Sequence, residues 1–100
     1  MKIVNSINNY NIRLTTERWQ HISKNHKEVA NLESEIFETV SNPNFVVAGR
    51  NKELLAVKKL LDIYLVVVYK EERADGFVIT AFLTRRIEQI KKRGILWSQK

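Results

Sequence analysis

The sequence has no cysteine, one proline and three glycines in 100 residues. Without cysteine the chain can form neither a disulfide framework nor a cysteine-based metal site, and it has no thiol nucleophile. So few glycines and prolines, together with 44% hydrophobic residues, argue against a disordered chain. We therefore expect one ordered globular domain over residues 1–100, because single domains commonly have this length.

Long apolar runs and common enzyme signatures are also missing. No apolar span of about 18 residues occurs, so the sequence predicts no membrane-spanning helix. The first ten residues lack the apolar segment of a secretory signal, which favours a cytoplasmic protein. A glycine-rich phosphate loop, the HExxH zinc motif and the GxSxG nucleophile motif are all absent. The eleven acidic residues are scattered, and no metal-binding cluster stands out among them.

The positive charge is concentrated at the end of the chain. The formal net charge is +6, and residues 85–100 carry six basic side chains against one acidic side chain. Such a cluster attracts polyanions, of which nucleic acid is the most common. A solubilising tail and a contact with an acidic partner protein are the alternatives. The residues predicted to bind RNA are Arg85, Arg86, Lys91, Lys92 and Arg93.

Two amphipathic helices are predicted in the first part of the chain. Thr15 or Thr16 is a suitable N-cap for a helix over about residues 17–27, since a threonine oxygen can accept a free backbone N–H of the first turn. A second helix is predicted over about residues 31–41, because apolar residues recur there at helical spacing. Pro43 follows and ends it.

Two long strands are predicted in the second part of the chain. Residues 63–69 and 77–83 are apolar runs rich in β-branched and aromatic residues, which fit a pleated surface that is buried on both faces. A polar segment with an Asp-Gly turn signal separates them. We therefore expect these strands to pair as a hairpin in the middle of a sheet.

Two shorter strands, over residues 45–49 and 53–60, precede this hairpin, with an Asn-Lys pair between them at hairpin spacing. Residues 1–4 and 11–14 are candidates for short additional strands. The predicted fold is α+β, with two N-terminal helices packed on a four-stranded antiparallel meander sheet and a short basic C-terminal helix or extension. Within this single domain, the mainly helical part spans residues 1–43, the sheet 44–84 and the basic segment 85–100.

The two histidines are the candidate acid–base residues. His21 falls on the charged face of the predicted helix, where packing does not require it, whereas His26 falls on the apolar stripe near the helix end. On an ideal helix they lie about 140° apart, so they share a cleft only if the helix ends before His26. A surface histidine and a core-edge histidine bonded to backbone are the alternatives. Their spacing does not fit the i, i+4 pairs of helical zinc sites.

Thr80 and Lys58 are the candidate phosphate contacts in the sheet. If each loop sets the pairing that its length suggests, with Glu71 opposite Gly76, then Thr80 and Lys58 share one face. A lysine beside a threonine on an open face can hold a phosphate. A one-residue slip in a loop would separate the two side chains. A β-forming threonine bonded to a neighbour and a solvated lysine are the alternatives.

Three segments resemble a known superfamily. The segments RLTTERWQHISKNHKEV (13–29), SNPNFVVAGR (41–50) and VITAFLTRR (78–86), followed by Trp97, are similar to the phage- and bacteria-associated nuclease-like domains of the barnase–EndoU–colicin–RelE superfamily. In that pattern a threonine-started helix carries W-x-H-I and a second histidine, a proline precedes the first sheet strand, and a later strand reads near T-A-Y. The resemblance covers roughly residues 12–97.

This resemblance implies a toxin-like ribonuclease that cleaves RNA without a metal ion or other cofactor. The 2′-hydroxyl would attack the adjacent phosphate, which needs a base, an acid and cations on the phosphate. An acidic antitoxin or immunity protein is the partner that the resemblance implies. The residues assigned to catalysis are His21, His26, Thr80 and Lys58, with Arg85 or Arg86 stabilising negative charge.

Two positions depart from the family pattern. Lys27 stands where proline is frequent, and Phe82 stands where tyrosine is frequent, which removes a hydroxyl. If that hydroxyl acts in acid–base chemistry, activity is lost or altered here. The alternative function is a non-catalytic nucleic-acid-binding or protein-interaction module that uses the basic C-terminal segment.

Overall fold

Seven strands form one mixed sheet in the computed structural model, which describes residues 2–73 and 75–99. The strands are β1 (Lys2–Asn5), β2 (Asn11–Leu14), β3 (Phe45–Ala48), β4 (Leu54–Leu60), β5 (Ile63–Lys70), β6 (Gly76–Thr84) and β7 (Ile95–Ser98). Their order across the sheet is β1-β2-β6-β5-β4-β3-β7. The helices are α1 (Thr16–Asn25), α2 (Glu33–Ser41) and α3 (Ile87–Lys91), with a 3-10 turn at Lys27–Val29.

The predicted four-stranded meander is wrong as a description of the sheet. Strands β3 to β6 pair in succession and antiparallel, but three further strands extend the sheet on both sides. Ile12 of β2 aligns with Gly76 of β6 in a parallel pair, and β7 pairs with β3. These pairs join segments that are far apart in the sequence, so neither loop length nor apolar pattern indicates them. The result is a mixed seven-stranded sheet with three short helices.

The boundaries of α1 matter for the histidines. The side-chain oxygen of Thr15 accepts the backbone N–H of Arg18 at 3.1 Å, which confirms the predicted N-cap. The helix ends at Asn25, earlier than predicted, because His26 leaves helical geometry with φ −129° and ψ 77°.

Within the described residues, no helix has the length and apolar character that spanning a bilayer requires.

Each face of the sheet carries its own core, which explains why β5 does not alternate between apolar and polar residues. We call the side that packs against α1 and α2 the helical face, and the side that packs against α3 the α3 face. The helical face includes the buried residues Ile12, Ile22, Ile36, Val40, Leu65, Val67 and Tyr69. The α3 face includes Val47, Leu55, Val57, Val66, Ile87 and Ile90.

A β-bulge in β6 decides which face carries Thr80. Tyr69 pairs with Val78, in the register that the loop predicts, but the preceding residue Val68 pairs with Thr80. Ile79 is therefore the extra residue of the bulge. Because side chains alternate along a strand, every residue of β6 after the bulge lies on the opposite face from the one predicted.

The predicted shared face of Lys58 and Thr80 is wrong for this reason. Lys58 pairs with Leu65, whose side chain belongs to the core of the helical face. Thr80 pairs with Val68, whose side chain belongs to the core of the α3 face. The sheet itself therefore separates the two side chains.

Candidate functional site

α1 packs against the part of β6 that lies beyond its short pairing with β2. The pairing of β2 with β6 is limited to Ile12 with Gly76 and Arg13 with Phe77. Beyond these pairs, α1 and the 3-10 turn that follows it lie against β6. The second half of α1 is thus brought next to the bulge at Ile79.

A shallow cavity of about 260 Å³ lies at this contact. Four side chains of α1 at positions i, i+3, i+4 and i+7 form one wall, since this spacing places them on one side of a helix. The bulged part of β6 forms the other wall. The lining residues are Arg18, His21, Ile22, Asn25, Ile79 and Thr80. The structure therefore brings together His21 and Thr80, two of the four residues predicted for catalysis.

The polar groups of this cavity, which we call the His21 cavity, differ in burial. His21 and Arg18 are exposed, Thr80 is half-buried, and Ile22 is buried beneath them. The residues that line the cavity thus include one with an imidazole, one with a guanidinium and one with a hydroxyl, beside the buried Ile22. Groups of these types can accept a proton, neutralise an oxyanion and donate a hydrogen bond to it.

His26 lies beside this cavity and not in its lining. Its ring centroid is 6.3 Å from that of Phe82, two residues after Thr80 on β6. Residues i and i+2 of a strand lie on one face about 6.6 Å apart, so His26 is one such step along β6 from the cavity. The Nδ1 atom of His26 lies 3.4 Å from a carboxylate oxygen of Glu28, close enough for an ion pair when the ring is protonated.

Lys58 does not line the His21 cavity. Its Nζ atom donates to a carboxylate oxygen of Glu38 and to the backbone oxygen of Asn42, each at 3.3 Å. Both partners belong to the end of α2 and the residue after it, on the helical face. Lys58 thus holds α2 to β4, and the basic residue that lines the His21 cavity together with Thr80 is Arg18.

Two of the five basic residues predicted to bind RNA form ion pairs within the described residues. Arg85 pairs with Asp62 at 3.7 Å, and Lys91 pairs with Glu88 at 3.8 Å. Arg86 is exposed at the start of α3, and its backbone N–H donates to the side-chain oxygen of Thr84. Lys92 and Arg93 are exposed at the other end of α3.

Arg18 and Asn25 were missed by the sequence reasoning. The signal that could have found them is their spacing from His21, at i−3 and i+4. The sequence prediction placed His21 on the solvent-exposed, charged face of the helix, together with Glu17, Lys24 and Glu28. Packing against β6 instead selects the side that runs through Arg18, His21 and Asn25.

No protein-family model, curated protein or solved structure matches this chain. The resemblance to the barnase–EndoU–colicin–RelE superfamily therefore stays a prediction from the residues that carry it. Within residues 2–73 and 75–99, no three histidine or acidic side chains come together in a way that could hold a metal ion.

Proposed function

We propose that this protein is a small ribonuclease that cleaves RNA without a metal ion. The observation that supports the proposal is the His21 cavity, where Arg18, His21 and Thr80 face one space. Cleavage by the 2′-hydroxyl needs a proton acceptor, a cation on the phosphate and a hydrogen-bond donor. These three side chains supply one of each.

The proposed reaction moves one proton at each end of the scissile bond. His21 accepts the proton of the 2′-hydroxyl as its oxygen bonds to phosphorus. The bond from phosphorus to the 5′-oxygen breaks, and that oxygen takes a proton from the acid, for which protonated His26 is the candidate. Arg18 and Thr80 stabilise the negative charge on the phosphate oxygens. The products are a 2′,3′-cyclic phosphate and a 5′-hydroxyl end.

The same proposal includes the compartment in which the protein acts and the protein that restrains it. We expect it to meet RNA in the cytoplasm. An uncontrolled ribonuclease would damage the cell that makes it, so an acidic antitoxin or immunity protein is the partner we propose. The net charge of +6 would favour such a partner electrostatically.

The test is incubation of the purified protein with a labelled RNA and with its all-deoxy counterpart, both in excess EDTA. We expect cleavage of the RNA alone, because DNA lacks the attacking hydroxyl. His21→Ala should lower the rate about 10²- to 10⁴-fold, the usual contribution of a general acid or base. Arg73→Ala is the control, since Arg73 is an exposed basic residue that lines a different cavity. Undiminished cleavage by a folded His21→Ala protein would rule out this role.

A non-catalytic nucleic-acid-binding module is the second candidate. The exposed side chains of Lys92 and Arg93 favour it, because neither forms an ion pair within the part of the chain that the structure describes. This alternative predicts no cleavage, together with salt-dependent binding of both RNA and DNA that survives loss of both histidines.

A further inference from the structure

A second cavity, of about 360 Å³, lies between the β3–β4 hairpin and the end of α3. Its lining consists of Ala48 and Gly49 at the end of β3, Arg50 in the hairpin and Arg93 after α3. Two arginines from segments far apart in the sequence thus face one space. We call this space the Arg50–Arg93 cavity.

Backbone hydrogen bonds fix the two chain segments that carry the arginines. The N–H of Ala48 donates to the carbonyl oxygen of Gly94 at 3.0 Å, which ties the end of α3 to the end of β3. The N–H of Glu53 donates to the carbonyl oxygen of Arg50 at 2.8 Å and closes the hairpin turn. Gly94 has φ +107°, a conformation that glycine adopts without strain and that lets the chain turn from Arg93 into β7.

The electrostatics of this cavity point to an anion. Within residues 2–73 and 75–99, no carboxylate lies within 4.0 Å of the guanidinium of Arg50 or Arg93. Two like charges that share a space without a counter-charge repel each other. Lys52, two residues after Arg50, and Lys92, directly before Arg93, are both exposed and add to the positive potential. A bound anion would relieve this repulsion.

Phosphate is the anion that fits this pair best, because the planar donor fork of arginine matches two phosphate oxygens at once. We propose that the Arg50–Arg93 cavity binds a phosphate group of a nucleic-acid backbone. The assignment to nucleic acid rests on the proposed function. It adds a second anchoring point, distinct from the His21 cavity.

The sheet register sets the separation of the two sites. Thr80 pairs with Val68, Val68 with Leu55, and Leu55 with Val47, so three strand spacings lie between Thr80 and β3. At about 4.8 Å for each spacing, Thr80 and Val47 are roughly 14 Å apart across the sheet. The two cavities are further apart than this, because Arg50 lies three residues beyond Val47. Several nucleotides of single strand can bridge such a distance, so one strand can occupy both sites.

The test uses a short all-deoxy oligonucleotide, which the proposed chemistry cannot cleave. We expect Arg50→Gln and Arg93→Gln each to weaken binding by at least about tenfold, the usual effect of losing a charged hydrogen bond. Both arginines serve one phosphate in this proposal. The double variant should therefore lose less affinity for the oligonucleotide than the two single fold-losses multiplied together. Its plot of log affinity against log salt should be shallower by about 0.7, the value for one single-strand phosphate.

Arg73→Gln is the matched control, because Arg73 is an exposed arginine that lines a different cavity. The inference is overturned if the Arg50 and Arg93 variants bind as the control does. It is also overturned if the affinity loss of the double variant equals the product of the two single fold-losses and its salt slope falls by about 1.4. Each arginine would then bind its own phosphate.

A titration with inorganic diphosphate separates this inference from the proposed function. The probe is the NMR signal of the side-chain Nε–H groups of Arg50 and Arg93 in the wild-type protein. Saturable shifts of both signals support a phosphate-binding cavity even if the protein neither cleaves nor binds nucleic acid, in which case the proposed function and the assignment to nucleic acid fail together. Unshifted signals overturn the cavity assignment, and RNA cleavage by the same preparation would leave the proposed function standing.

Discussion

Replacing Tyr69 with phenylalanine should make the protein more stable. Tyr69 is 0% exposed and lies in the core of the helical face. Its hydroxyl has no hydrogen-bond partner within the described residues, although it is fully buried. A buried polar group without a partner costs about 1–3 kcal/mol, whereas the ring and its packing are kept in Tyr69→Phe. We therefore expect the free energy of unfolding to rise by about 1 kcal/mol at neutral pH.

The gain from Tyr69→Phe should grow in alkali. Burial raises the pKa of Tyr69 well above its ordinary value, and the negative charge of Glu71 raises it further. In the unfolded chain the hydroxyl ionises near its ordinary pKa of about 10, while the folded protein still holds the proton. The wild-type protein therefore loses up to about 1.4 kcal/mol of stability per pH unit above pH 10 through this group. The Tyr69→Phe protein lacks this loss.

The assay is urea denaturation followed by circular dichroism at pH 7, 10 and 11. Tyr10→Phe serves as the control, because Tyr10 is 37% exposed and water can solvate its hydroxyl. A lower stability of Tyr69→Phe at pH 7 would mean that the hydroxyl has a stabilising partner. A difference from wild type that stays constant between pH 10 and 11 would refute the reasoning about burial.

Two further predictions test α1 and the parallel strand pair by the same denaturation assay. Thr15→Ala should cost about 1 kcal/mol through loss of the N-cap bond, whereas Thr16→Ala, at the next position, should cost less; equal losses would contradict the assigned cap. Gly76→Ala should cost about 1–3 kcal/mol, because its Cβ atom would meet the side chain of Ile12 and lie 2.7 Å from the carbonyl oxygen of Lys70. An unchanged denaturation midpoint for Gly76→Ala would argue against the parallel contact of β2 with β6.

Short-range features of the fold were predictable from the sequence. The N-cap at Thr15 forms within one helical turn, so its signal is complete in a few neighbouring residues. Asn51 and Lys52 both adopt positive φ, as a two-residue hairpin turn requires. The run from Ile63 to Tyr69 is covered on both faces, as its unbroken apolar composition indicates.

The candidate site depended on both local and tertiary features. His21, His26 and Thr80 were identified as candidates from residue type and from a family resemblance, while Arg18 was not. The sequence analysis required α1 to end before His26 if the two histidines were to share a cleft. The helix does end at Asn25, yet His26 lies beside Phe82 and not in the lining of the His21 cavity.

The sequence by itself determined where most strands and helices form, since those signals depend on near neighbours along the chain. Only the tertiary structure decided the strand order and the face that each side chain occupies. The parallel pair of Ile12 with Gly76 brings together residues whose mutual contact no local pattern encodes. The bulge at Ile79 places Thr80 on the face opposite Lys58, because a shift of one residue in a strand reverses the side-chain directions beyond it.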